Sequence, residues 1–218
     1  MVARPRIEVF EQRAADYDAW FRGPAGRVLF PIEADTVRLV LQGAPRPWLE
    51  VGVGTGAFAA ELGVELGLDP AGEPMLYARR RGVTCIQGVA EALPFRDGSI
   101  GALLLVVTVC FLEDPTVALR EAARALAPGG RVIIGEVTAD SAWGRAYRKL
   151  GEAGHPFYAP ARFFTMRQTE ELLAAVGLRA TRYASTLVQP YARLPQPEPA
   201  RAGVAEGASF VAIAAARA

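Results

Sequence analysis

From residue 47 onward the chain alternates between short runs that are apolar throughout and longer runs whose apolar positions recur every three or four residues. The first kind fits a strand covered on both faces, the second an amphipathic helix. "PWLEVGV" (47–53), "VELGLDP" (64–70), "VTCIQG" (83–88), "GALLLVVTV" (101–109) and "RVIIGEVT" (131–138) read as five strands. Between them lie three helical stretches, "GAFAAELG" (56–63), "EPMLYARRRG" (73–82) and "DPTVALREAARAL" (114–126), the last closed by "APGG". Residues 7–21 and 25–41 pattern as two helices ahead of this block. After it, 165–178 patterns as a helix ending in glycine, and 179–188 and 208–218 as two strands. The stretch 189–207 is rich in proline and has no core-forming period, so it reads as a surface loop.

Apolar strands alternating with helices predict an α/β, Rossmann-like fold. The expected sheet is seven-stranded and mostly parallel, with helices on both faces and an antiparallel last strand. The expected organisation is one domain over residues 1–218: an N-terminal helical lid (1–46), a cofactor-binding core (47–138), an acceptor-side insert (139–164), then the last helix and two strands (165–218). In such sheets ligands bind in the crevice beyond the carboxyl ends of the strands. Those ends gather the glycine-rich turn after residue 51, Asp69, Gln87 to Glu91, Thr108 and Glu136.

Composition removes some function classes. Formal net charge is +1 and 22% of residues are charged, so no excess of positive charge points to nucleic acid or an anionic membrane. The "RRR" run (79–81) fits a solvated helix end. Lys149 is the single lysine, and the surplus of arginine over lysine suggests a GC-rich genome and a thermophile. No apolar run reaches the roughly 18 residues of a membrane helix, and charges interrupt the first 21 residues where a signal peptide would need an apolar core. The expectation is a cytoplasmic protein in which Cys85 and Cys110 are reduced core thiols. No Cys/His cluster has metal-ligand spacing, so no metal is expected. The oligomeric state is not written in the pattern.

The chemistry starts at "LEVGVGTGAFAAEL" (49–62), where Gly52, Gly54 and Gly56 alternate between a strand and a helix. Bare backbone there lets a ligand approach a helix N-terminus. Read literally, Gly52-x-Gly54-x-x-Ala57 satisfies a dinucleotide fingerprint. An acid at Glu50, inside the strand, serves a pyrophosphate poorly. A ligand with a positive centre and a small carboxylate suits the turn better, and S-adenosylmethionine has both. Asp69 follows Glu50 by 19 positions, close to the roughly 20 expected of a ribose-binding acid. A helix cap before Pro70 is the other reading of Asp69.

"LEVGVGTGAFAAELG", "GLDPAGEPMLYARRRGV", "IQGVAEALPFRDGSIGALLLVVTVCFLEDP" and "ALREAARALAPGGRVIIGEV", in this order over residues 47–138, resemble the class I S-adenosylmethionine-dependent methyltransferases. The resemblance is to the small-molecule branch related to the quinone-biosynthesis methyltransferases. "TVCFLEDP" and "FYAPARFFT" are also similar to a thermophile subgroup of methyltransferases, which supplies no acceptor. The resemblance implies that Glu50, Gly52 and Gly54, with Gly56 closing the turn, line the methionine end of the cofactor, Glu50 reaching its amino group through water. It implies that Asp69 binds the ribose diol, that Pro70 flanks the adenine with Met75 nearby, and that Ala90 and Glu91 meet the adenine amino group. Val89 stands where the family more often has an acid. Thr108 is expected to face the transferred methyl, and Tyr17, in "YDAW", to close over the cofactor.

Methyl transfer from a sulfonium needs alignment, and a base only where the acceptor must lose a proton. His155, the single histidine, is the first candidate for that base, with Glu136 an alternative polar group in the crevice. Tyr158, Phe163, Phe164 and Trp143 give the insert an aromatic lining, which suits a small, partly apolar organic acceptor. Residues 107–111 read "VTVCF", without the Asn/Asp-Pro-Pro-aromatic turn by which amino-directed nucleic-acid methyltransferases hold an exocyclic amine. Two other readings stay open: an NAD-type oxidoreductase, and a catalytically silent protein that binds S-adenosylmethionine.

Overall fold

A computed structural model describes residues 5–217. The helices before the sheet are α1 (Pro5–Gln12), α2 (Ala14–Trp20) and α3 (Gly26–Leu41). The core then runs β1 (Trp48–Val51), α4 (Ala57–Leu62), β2 (Leu66–Asp69), α5 (Gly72–Arg80), β3 (Thr84–Gln87), β4 (Ile100–Val106), α6 (Pro115–Ala125) and β5 (Leu126–Val137). The remainder is α7 (Ala142–Glu152), α8 (Met166–Ala174), β6 (Leu178–Thr186), β7 (Arg201–Ala202) and β8 (Phe210–Arg217). One sheet holds every strand, in the order β3-β2-β1-β4-β5-β8-β6-β7.

The strands β1 to β5 are parallel, and β8 slots antiparallel between β5 and β6. The α/β expectation and the antiparallel last strand are therefore met, but among the described residues the sheet has eight strands rather than seven. The additional one is the two-residue β7, which pairs Arg201 and Ala202 with Ser185 and Ala184 inside the proline-rich stretch. A strand that short shows no period. Two boundaries also moved. The expected helix 7–21 breaks at Arg13 into α1 and α2, and β5 begins at Leu126, opposite Ile100, so "APGG" lies within the strand.

β4 is buried at all seven positions, and its pleat sorts the core into two layers. Ala102, Leu104 and Val106 pack with Leu29, Val37, Phe58 and Met75 from α3, α4 and α5. Leu103 and Leu105 pack with Leu119 of α6 and Leu173 of α8 on the other face. Local chemistry starts the helices where the pattern placed them. Asp114 accepts from the N–H groups of Thr116 and Val117, with Pro115 in the first turn, and Thr165 and Gln168 close a reciprocal capping box on α8.

The arginine run is a partial exception to its solvated reading. Arg81 forms an ion pair at 2.7 Å with Asp18 of α2 and donates to the Thr55 carbonyl. Asp18 is buried, and Arg22 holds its other oxygen at 2.6 Å. The lid helix is thus fastened to the turn beneath it by charge. Among the described residues, no helix is long and apolar enough to cross a membrane.

Candidate active site

The turn between β1 and α4 has positive φ at all three glycines, 74° at Gly52, 49° at Gly54 and 74° at Gly56, which is the physical reason for their number. Its shape is held from β2. The N–H groups of Gly52 and Val53 both donate to the Leu68 carbonyl, and the Gly54 N–H donates to Asp69 Oδ2 at 2.8 Å. Asp69 Oδ1 accepts the Ala71 N–H at 2.9 Å, so one carboxylate braces the turn and the start of α5 together.

Above the turn lies a cavity of about 110 Å³. Gly52, Gly54, Asp69, Pro70, Ala90, Glu91 and Thr108 line it from the strand ends, and Tyr17, Phe10 and Arg6 from the lid. Arg6 fixes α1 there by donating to the carbonyls of Leu112 and Pro160. Glu91 also braces the wall, accepting the N–H groups of Glu113 and Asp114. Glu50, Gly56 and Met75 stand outside this lining. Glu50 is buried below the turn with Oε2 unpartnered, and burial, opposed by the Ala59 N–H, holds its carboxyl well above the usual range. Gly56 is filled behind by α5, where a Cβ would come within 2.8 Å of the Ala78 backbone. Met75 is a core side chain of α5.

A second cavity, of about 200 Å³, adjoins the first. Phe10, Tyr17, Val107, Thr108 and Phe111 belong to both linings and form the wall between them. That wall is aromatic: the Phe10 ring meets Tyr17 at 5.3 Å and Phe111 at 5.0 Å, both edge to face. Tyr158, Phe163, Phe164 and His155 line the second cavity, joined by Tyr147 and Phe157 of the same insert. Trp143 does not. It is buried beneath, its indole N–H given to the Gln189 carbonyl. His155 stacks on Tyr158 at 4.4 Å with Nδ1 unpartnered, and burial, aided by Arg13, lowers its pKa.

Two acids complete this cavity. Sheet register puts Glu136 one residue beyond Gly135, the partner of Val106, and therefore beside the wall. It takes a hydrogen bond from the Thr169 hydroxyl, and burial raises its carboxyl to about 7. Glu33 of α3 is only 5% exposed, and burial alone raises it to about 8. The sequence reading passed over Glu33, although Leu29, Val37 and Val40 place it on the apolar stripe of its helix. It passed over Phe10 as well, which lines both cavities from α1 beside Tyr17 of α2.

The raised Glu33 carboxyl has a measurable consequence for stability. Between about pH 4.5 and pH 8 the folded chain holds a proton there that the unfolded chain has lost, so stability falls as pH rises through that window. Glu33→Gln should flatten this slope and stabilise the protein above pH 8 by something on the order of 4 kcal/mol. Denaturant midpoints from pH 4 to 9 check it. Parallel pH profiles for both proteins would remove Glu33 as the source.

With this geometry in view, the comparisons with known proteins bear directly on the chain. Residues 49–134 match the family model described as a methyltransferase domain. A solved structure from Thermotoga maritima, described as a "SAM-dependent methyltransferase, possible histamine N-methyltransferase", superposes with a TM-score of 0.89 at 35% identity, over 98% of this chain and 100% of that one. An uncharacterized protein of Mycobacterium tuberculosis is 43% identical over 204 residues, 93% of this chain and 71% of its own. The demethylmenaquinone methyltransferase of Thermus thermophilus is 34% identical over 135 residues, 56% of this chain and 61% of its own.

Proposed function

We propose, for a chain that belongs to the S-adenosylmethionine-dependent methyltransferases, that it methylates a small organic acceptor held in the aromatic cavity. The observation that carries this reading is the shared wall: Thr108 and Tyr17 line both the cavity over the glycine turn and the aromatic cavity beside it. Reactants held in two adjoining cavities can be brought to a fixed mutual approach beside Thr108 and Tyr17, which an in-line displacement requires.

The first cavity fits the cofactor. Gly54 leaves a cradle that a side chain would fill, since a Cβ there would sit 3.4 Å from the Tyr17 ring. Asp69 keeps acceptor capacity beyond its two backbone bonds, as a ribose diol needs. Gly52 and Gly54 would take the methionine end, Asp69 the ribose, and Pro70, Ala90 and Glu91 the adenine. When bound, S-adenosylmethionine supplies a methyl group already activated on sulfur. The residues therefore align, exclude water and manage protons. Thr108 sets the distance across the wall, Tyr17 and Phe10 close the lid, and His155, driven toward its neutral form, can take a proton at Nδ1.

The aromatic lining suits an acceptor that is partly apolar, and the family membership displaces the NAD-type alternative. Calorimetric titration with S-adenosylmethionine, S-adenosylhomocysteine and NAD in parallel tests the reading. Micromolar binding of the first two, and none of NAD, is expected. Absence of adenosyl binding would overturn it.

A further inference from the structure

We propose that the acceptor is a small organic amine, received as an ammonium ion by Glu33 and Glu136 within the aromatic cavity. This rests on the methyltransferase reading and deepens it by naming the substrate class.

The charge of the cavity carries the argument. Its ionisable lining is Asp16, Glu33, Glu136, Cys110, His155 and tyrosine, and among the described residues no arginine or lysine lines it. An anionic acceptor would face the two buried acids, Glu33 and Glu136; Asp16, at the exposed rim, is paired with Arg13 at 3.7 Å. Glu33 is the sharper evidence, being nineteen parts in twenty buried, turned to the cavity, and without a hydrogen-bond partner among the described residues. Burying a carboxyl with no partner costs free energy that leucine at the same place would not. A cation entering the cavity removes that cost, because the ionised carboxylate then gains a partner. Glu136 has one oxygen bound to the Thr169 hydroxyl and the other left for a ligand. The walls agree with the charge: Phe21, Phe58 and Phe157 bring aromatic rings to the lining, and aromatic faces attract ammonium groups.

The same groups deal with the protons. An ammonium has no lone pair, so its nitrogen must first give a proton to a carboxylate or to His155. The nitrogen lone pair then forms the N–C bond as the S–C bond breaks with its electrons staying on sulfur. The positive charge lost at sulfur reappears on the methylated nitrogen, which leaves as an ammonium.

Matched triples of primary amine, alcohol and carboxylate, built on ethyl, phenylethyl, imidazolylethyl and indolylethyl groups, test the class. Each is titrated calorimetrically at pH 7 into the protein alone and into its complex with S-adenosylhomocysteine. At least one amine should bind tenfold or more tighter than its alcohol, with no detectable carboxylate binding. Glu33→Gln and Glu136→Gln should each weaken that amine at least tenfold and leave its alcohol unchanged. Amine binding in buffers of different ionisation enthalpy should release about one proton, as a carboxyl ionises against the cation. Failure of all four amines, an alcohol or carboxylate matching its amine, or unaltered amine affinity in Glu33→Gln would overturn the inference. Failure of S-adenosylhomocysteine itself would show in the first titration and strike the methyltransferase reading instead.

Discussion

Asp69→Ala is expected to weaken S-adenosylhomocysteine binding by at least 100-fold, about 2.7 kcal/mol. Two losses add. The substitution removes the acceptor proposed for the ribose diol, and it frees the Gly54 and Ala71 N–H groups that Asp69 now receives. Bonds to a charged acceptor contribute about 1.5–3 kcal/mol each, so even the diol contacts alone reach the stated effect. Asp69→Asn separates the parts. An amide has one oxygen for the two backbone donors and must turn its NH₂ toward the other, so the turn is disturbed while the volume is kept. Calorimetry on both variants, with circular dichroism to establish folding, makes the measurement. Wild-type affinity in a folded Asp69→Ala protein would reduce Asp69 to a brace between two turns.

Asp69 also shows why part of this site was legible in the sequence. Its distance from Glu50 is fixed by one strand–helix–strand unit, so spacing along the chain translates into position at the sheet edge. The same holds for the glycine turn and for Thr108, all set at the ends of neighbouring parallel strands. Glu33 is the opposite case. Its helix reads as amphipathic, but what faces the stripe at that point is a cavity shared with α7 and the insert, and nothing local in the sequence says so. Arg81 was misjudged likewise, because its partner Asp18 is 63 positions away on the lid. β7 was invisible because two residues have no period. Local pattern thus reached the floor of the site, while the second cavity depends on contacts distant in the chain.

Gly52→Ala should be as damaging as the loss of Asp69, by steric means. At a φ of +74° any L-residue is strained, by roughly 1–2 kcal/mol. The added Cβ would also come to 2.5 Å from Thr108 Cγ2 and 2.6 Å from Oγ1. Thr108 cannot withdraw freely, since its hydroxyl donates to the Val106 carbonyl at 3.1 Å and it stands in the wall between the two cavities. Either the turn lifts away from Asp69 or Thr108 moves into the wall, and both outcomes spoil the alignment of the two chambers. Affinity for S-adenosylhomocysteine should fall at least 100-fold, with a lower unfolding midpoint. Adding Thr108→Ala removes the two shortest contacts but leaves a Cβ–Cβ approach of 3.1 Å and the backbone strain. The double variant should therefore regain part of the stability and affinity of the wild type, measured against Thr108→Ala alone. Full affinity in the single Gly52→Ala protein would mean that the turn tolerates a side chain, and that the cofactor does not lie against it.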